Sequence, residues 1–106
     1  MSYVGVELES SIQKKCNQIL RDLGVPFIHQ EKGHANKATT HRKGIADLLF
    51  WHRGRAFACE LKTKTGRVKP EQEAFLSKLK AEGVITGVCR SVEEFEEFLI
   101  ENEVMS

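Results

Sequence analysis

No stretch of this sequence approaches the roughly 20 consecutive apolar residues a bilayer-spanning helix needs, so no helical membrane segment is expected. The opening residues, MSYVGVELES, lack both the basic start and the apolar stretch of a secretory signal. The chain is therefore expected to stay in the cytoplasm of the cell that makes it. Cysteine is scarce: Cys16, Cys59 and Cys89 are an odd number with no close pairing. That speaks against a disulfide framework and a Cys-rich zinc site, and each is expected to pack as a small hydrophobe. No flanking sequence marks any of them as an activated thiol. Internal repeats and linkers are also missing. With 106 residues, 41% hydrophobic and 29% charged, the chain has the composition of an ordered fold and room for one domain, 1–106.

Net charge is only +1, but it is distributed unevenly. Between His29 and Lys69 ten Lys or Arg face Glu31, Asp47 and Glu60 alone, a local balance of +7. From Ser91 onward there are six Glu and no basic residue. A basic middle suits a polyanion, although a solvated surface with uneven charge gives the same tally.

Leu8, Ile12, Cys16, Ile19, Leu20 and Leu23 recur at helical spacing until Gly24 and Pro26 end the pattern. VPFIH (25–29) reads as a short strand. Residues 30–44 form a polar, basic loop without periodicity, long enough to suggest function. IADLLFWH (45–52) and RAFACELK (55–62) read as a hairpin joined at His52-Arg53-Gly54. After the loop TKTGRVK, Pro70 suits the first turn of a helix reaching about Glu82, with Gly83 behind it. VITGVC (84–89) is another strand. Ser91 and Glu94 make a capping box for a last helix through Ile100. The order α-β-β-β-α-β-α predicts an α/β fold, a four-stranded mixed sheet with helices on both faces.

The informative residues contradict their own elements. In RAFACELK, Phe57, Cys59 and Leu61 share one face, leaving Glu60 and Lys62 beside Ala56 and Ala58 on the other. Glu60 and Lys62 are about 7 Å apart along the strand. Asp47 is the one acid in an apolar strand, where Asp is disfavoured. A plain reading has Asp47 capping the strand and Glu60 paired with Lys62 across the surface. The helices add weight to a functional one. At 100° per residue, Glu9 falls about 60° from Ile12, inside the first helix's apolar stripe. Gln72 falls about 60° from Phe75, between Leu76 and Leu79. A carboxylate aimed into a core is costly unless it is paired or binds a cation. Inward acids suit magnesium, which prefers oxygen ligands, and Lys62 suits a role beside a reacting phosphate. These features point to phosphodiester hydrolysis.

GIAD at 44–47 followed by ELK at 60–62 resembles the bipartite motif of the PD-(D/E)xK nuclease superfamily. More specifically, ELKTKTGRVKPEQEAFLSKLKAEG at 60–83 resembles the virus-type replication-repair nuclease (VRR-NUC) domain, as does Glu-x-x-Ile-Gln at 9–13. The likeness runs from about Glu9 to Leu99, as in stand-alone, phage-type members. It implies a restriction-endonuclease-like core and a bacterial or phage origin. By resemblance, Asp47, Glu60 and the Leu61 carbonyl ligate magnesium, for which manganese can substitute, and Glu9 completes the acidic cluster. Lys62 serves the nucleophilic water, and Gln72 supports the site. One position departs: Ala46 stands where the family's proline usually precedes the aspartate. Proline would stiffen that strand start but supplies no catalytic group.

The stand-alone members are similar to Holliday-junction resolvases, so the resemblance implies a homodimer acting on branched DNA. Arg42, Lys43, Lys64, Arg67 and Lys69 flank the motif strands and are expected to touch phosphates. Two rivals remain. One is a non-catalytic DNA-binding module of the same fold. The other is a histidine metal site using His29, His34, His41 and His52, whose spacings match no common zinc pattern.

Overall fold

A computed structural model describes residues 8–30 and 46–106 of the chain. The elements run α1 (Glu9–Leu23), β1 (Phe27–His29), β2 (Leu48–His52), β3 (Arg55–Leu61), α2 (Pro70–Ala81), β4 (Ile85–Cys89) and α3 (Val92–Glu101). This is the predicted order, with boundaries shifted by a few residues. β1 starts two residues later than expected because Gly24, at φ 72°, turns the chain out of α1, and Pro26 has no N–H to offer a ladder.

The four strands form one sheet in the order β1-β2-β3-β4. β1–β2 and β2–β3 are antiparallel, whereas β3–β4 is parallel and is bridged by α2. β2 turns into β3 through Arg53 and Gly54, both at positive φ (51° and 77°), as a tight two-residue hairpin requires.

Strand alternation decides which helix covers which face. Leu48, Phe50, Phe57, Cys59, Leu61 and Cys89 point to one side, where Ile12, Cys16 and Leu20 of α1 and Phe95 and Leu99 of α3 close over them. The aromatic centre there is tight: Phe50 and Phe57 stack at 4.8 Å, and Phe98 meets both edge-on. The other side is smaller: Ala46 and Ala58 pack against Leu76 of α2, with Leu49, Leu79 and Val84 around them. Helices thus cover both faces. Among the described residues, no helix is long and apolar enough to cross a membrane.

Candidate active site

The face under α2 carries the polar residues that sequence patterning singles out. Leu48 pairs with Cys59, so one step further along the ladder Asp47 stands opposite Glu60. Both carboxylates are withdrawn from water, at 1% and 0% exposure. Burying two acids side by side is expensive, and the chain compensates locally. Asp47 Oδ2 accepts the backbone N–H of Leu61 at 2.7 Å. The carboxylate thus occupies a ladder position next to Leu48, where regular β2 pairing begins. Glu60 Oε2 accepts Nε2 of Gln72 at 2.7 Å and lies 3.6 Å from Lys62 Nζ.

Gln72 links the site to the start of α2. Its Oε1 accepts the backbone N–H of Lys69 at 2.8 Å, which leaves the amide nitrogen turned to Glu60. A residue at the third position of the helix therefore satisfies an otherwise unbonded helix-start N–H and orients a buried acid at once. Lys62 is itself buried, and its backbone N–H donates to Cys89 O at 3.0 Å, carrying the β3–β4 pairing one residue past the strand.

The structure thus brings Asp47, Glu60, Leu61, Lys62 and Gln72 together. The surface ion pair of the plain reading is instead a buried contact, because α2 roofs that face. Glu9 is half-buried in the first turn of α1, whose apolar stripe packs on the opposite face of the sheet. Among the described residues, no three His, Cys, Asp or Glu side chains form a ready metal-binding group. Lys64, Arg67 and Lys69 are exposed on the connection between β3 and α2. Arg42, Lys43, His34 and His41 lie outside the described residues. His29 pairs opposite Leu48 and binds Asn17 Nδ2 through Nδ1 at 2.6 Å, whereas His52 sits at the hairpin turn, so the two stand at opposite ends of β2.

Two features escape the sequence pattern. Cys59 and Cys89, 30 residues apart, come together across the parallel strands with Sγ atoms 3.2 Å apart. The hydrogen bond with Cys89, then complete burial, pushes the Cys59 thiol well above its ordinary value of 9.0, so it stays protonated and unreactive. Arg90, just past β4, sends its guanidinium to the turn that follows Lys62. In the sequence it is one basic residue in a stretch of balanced charge, with no signal to set it apart.

A family profile described as VRR-NUC domain matches residues 2–93. Among solved structures, one described as a VRR_NUC domain superposes with a TM-score of 0.70 at 23% identity, covering 88% of this chain and 94% of that one. At that identity the likeness speaks for the fold. No curated protein matches the chain.

Proposed function

This chain belongs to the VRR-NUC domain family and is a nuclease-type domain, and from that premise we propose that it is a magnesium-dependent DNA endonuclease acting on branched DNA such as Holliday junctions. The observation that carries the reading is the pair of fully buried acids, Asp47 and Glu60, facing each other beside Lys62. A binding module would have no use for two adjacent buried carboxylates beside a buried lysine.

The donor set fits a hard cation. Asp47 and Glu60 would hold it, together with the Leu61 carbonyl. In an extended strand a residue's N–H and C=O face the same edge, and the Leu61 N–H already faces Asp47, which supports that assignment. Such an ion, when bound, supplies charge stabilisation to a phosphodiester under attack. Glu9 is proposed to add a carboxylate from the start of α1. Lys62 holds the water that attacks, or offsets charge on the phosphate oxygens, from a position fixed by Glu60 and the β4 ladder. Gln72 keeps Glu60 oriented. Lys64, Arg67 and Lys69 line the approach with positive charge and bind the flanking phosphates, joined by Arg42 and Lys43. In this reading the protein acts as a homodimer, its two sites cutting opposed strands, in the cytoplasm of a bacterial host, as a chromosomal or phage product.

The test is direct. Purified protein is incubated with single-stranded, duplex, flapped and four-way DNA, with magnesium, manganese or a chelator. Cleavage is expected with either metal, strongest on the four-way substrate, and none with the chelator. Asp47→Asn and Glu60→Gln should abolish cleavage while DNA binding persists. Asp47→Asn should also raise the metal-free thermal midpoint by a few degrees, because it relieves like-charge repulsion and keeps an oxygen for the Leu61 N–H. Normal cleavage by either variant would remove that residue from the site. Tight DNA binding with no cleavage under any condition would favour the binding module.

A further inference from the structure

The connection from Lys62 to Gln72 is seven residues of non-helical chain between Thr63 and Lys69, yet the site needs both ends held in register. Its first part is a compact turn. The Gly66 N–H donates to Thr63 O at 3.1 Å, and a Cβ at Gly66 would lie 3.0 Å from Thr63 Oγ1 and 3.5 Å from Lys62 Cβ. The turn folds directly back on the base of the site lysine.

One guanidinium nitrogen reaches three carbonyls of that turn. Arg90 Nη1 donates to Gly66 O at 2.6 Å and Thr63 O at 2.9 Å, with Lys64 O at 3.5 Å as the weakest contact. Arg90 is anchored in turn. It follows Cys89, whose carbonyl accepts the Lys62 N–H, and its own N–H donates to Glu94 Oε1 at 2.8 Å. Glu94 belongs to the capping arrangement of α3, in which Ser91 Oγ accepts the Glu94 N–H at 3.0 Å. A rigid helix start therefore holds Arg90, and Arg90 holds the turn.

We propose that Arg90 is a positioning residue of the nuclease site: it pins the Thr63–Gly66 turn, and through it sets the placement of Lys62 and the lead into α2 that presents Gln72 to Glu60. The inference rests on the nuclease reading above. Guanidinium suits the role because its planar fork keeps its charge at any working pH and binds several carbonyl oxygens at once. Arg90 acts through the backbone, so its loss should slow the chemical step more than it weakens DNA binding.

Arg55 is a matched control. It also donates to a backbone carbonyl, Asn102 O at 2.6 Å, and lies over the Phe57 ring, but at the hairpin end remote from Lys62. Arg90→Ala, Arg90→Lys and Arg55→Ala are compared with the wild type by steady-state cleavage of four-way DNA and by amide hydrogen exchange. Arg90→Ala should lower kcat by roughly ten- to a hundredfold, the cost of a small misplacement, with KM within about twofold. The Gly66 amide should exchange faster in that variant. Arg90→Lys, which keeps donors near the same carbonyls, should recover part of the lost kcat. Arg55→Ala should leave kcat, KM and the Gly66 amide unchanged even where it lowers the melting temperature.

Unchanged kcat in Arg90→Ala overturns the proposal, as does a rise in KM alone, which would make Arg90 a DNA contact. Equal kcat losses in Arg55→Ala and Arg90→Ala also overturn it, by showing a general loss of stability. If Arg90→Ala does not fold, Arg90→Lys carries the comparison, and wild-type kcat with a loosened Gly66 amide in that variant counts against the proposal. A wild type that cuts no DNA defeats the nuclease reading itself. In that case unchanged Gly66 exchange in Arg90→Ala would separately remove the pinning role.

Discussion

Glu60 has no exposed surface yet lies between two donors, Gln72 Nε2 and Lys62 Nζ, that came from sequence positions with quite different legibility. Glu60 and Lys62 stand out because each occupies the alanine face of a strand, and Asp47 because an acid interrupts an apolar run. Gln72 is readable only through helical phase, since glutamine carries no charge to flag it. Glu9 shares that phase signal but is only half-buried, on a helix that packs on the far face. Arg90 and the Cys59–Cys89 pair give no such signal, because their partners are set by the parallel pairing of β3 with β4, strands far apart in sequence. The cysteine pair has a measurable consequence. Cys59 is held protonated in the fold above its ordinary 9.0, so only the unfolded chain releases that proton as pH passes 9. The contribution is fully present below pH 9 and is lost as pH rises toward the raised folded value, with a slope of up to about 1.4 kcal/mol per pH unit. Urea midpoints measured from pH 7 to 10.5 should fall more steeply above pH 9 for the wild type than for Cys59→Ala. Parallel curves for the two proteins would show that burial of this thiol does not shape the alkaline limit.

Elements follow the sequence closely because local signals and packing agree, and they depart from it where a side chain or a missing donor takes over. β1 waits for Pro26 to pass, and β2 begins at Leu48 because the Asp47 side chain, not its strand neighbour's carbonyl, receives the Leu61 N–H. The last helix illustrates what patterning misses. Its amphipathic run and Ser91 cap are plain in the sequence, but the way α3 settles onto β4 depends on Gly87. A Cβ there would lie 2.8 Å from Phe98 Cε1 and 3.0 Å from Cδ1. The Phe98 ring cannot swing freely, because it is already lodged edge-on against Phe50 and Phe57 at 6.4 and 6.2 Å. A strand glycine that admits a neighbour so closely is there for its absent side chain. Gly87→Ala should destabilise the fold by about 1–3 kcal/mol, as overpacking does, measured as a drop in the urea midpoint. In Phe98→Leu the same substitution should cost less, giving a favourable coupling in a double-mutant cycle. Equal costs in both backgrounds would place the strain somewhere other than the Gly87–Phe98 contact.

For the whole molecule, the uneven charge of the sequence becomes a difference between two faces. The six C-terminal glutamates ride on or just beyond α3, which packs on the sheet face opposite Glu60 and Lys62. Lys64, Arg67 and Lys69 are exposed on the connection that leads from Lys62 into α2. A polyanion drawn to the basic side therefore meets the buried acids with the −6 region behind the sheet. Single Arg67→Ala or Lys69→Ala changes should weaken binding to every DNA sequence about equally and lower the salt slope by about one ion, if each neutralises one phosphate. Neither change should create a sequence preference, because phosphate contacts carry no base information, whereas any preference for junctions belongs to the proposed dimer. Two such basic edges can engage a four-way junction at once, and the second contact then forms at high effective concentration. Light scattering should accordingly give twice the chain mass. At equal salt, junction affinity should exceed duplex affinity, and Arg67→Ala should cost the junction about twice as many ions in salt slope as a one-site duplex contact. A strict monomer that binds junction and duplex alike would defeat the homodimeric, junction-directed reading and leave the nuclease-type domain standing.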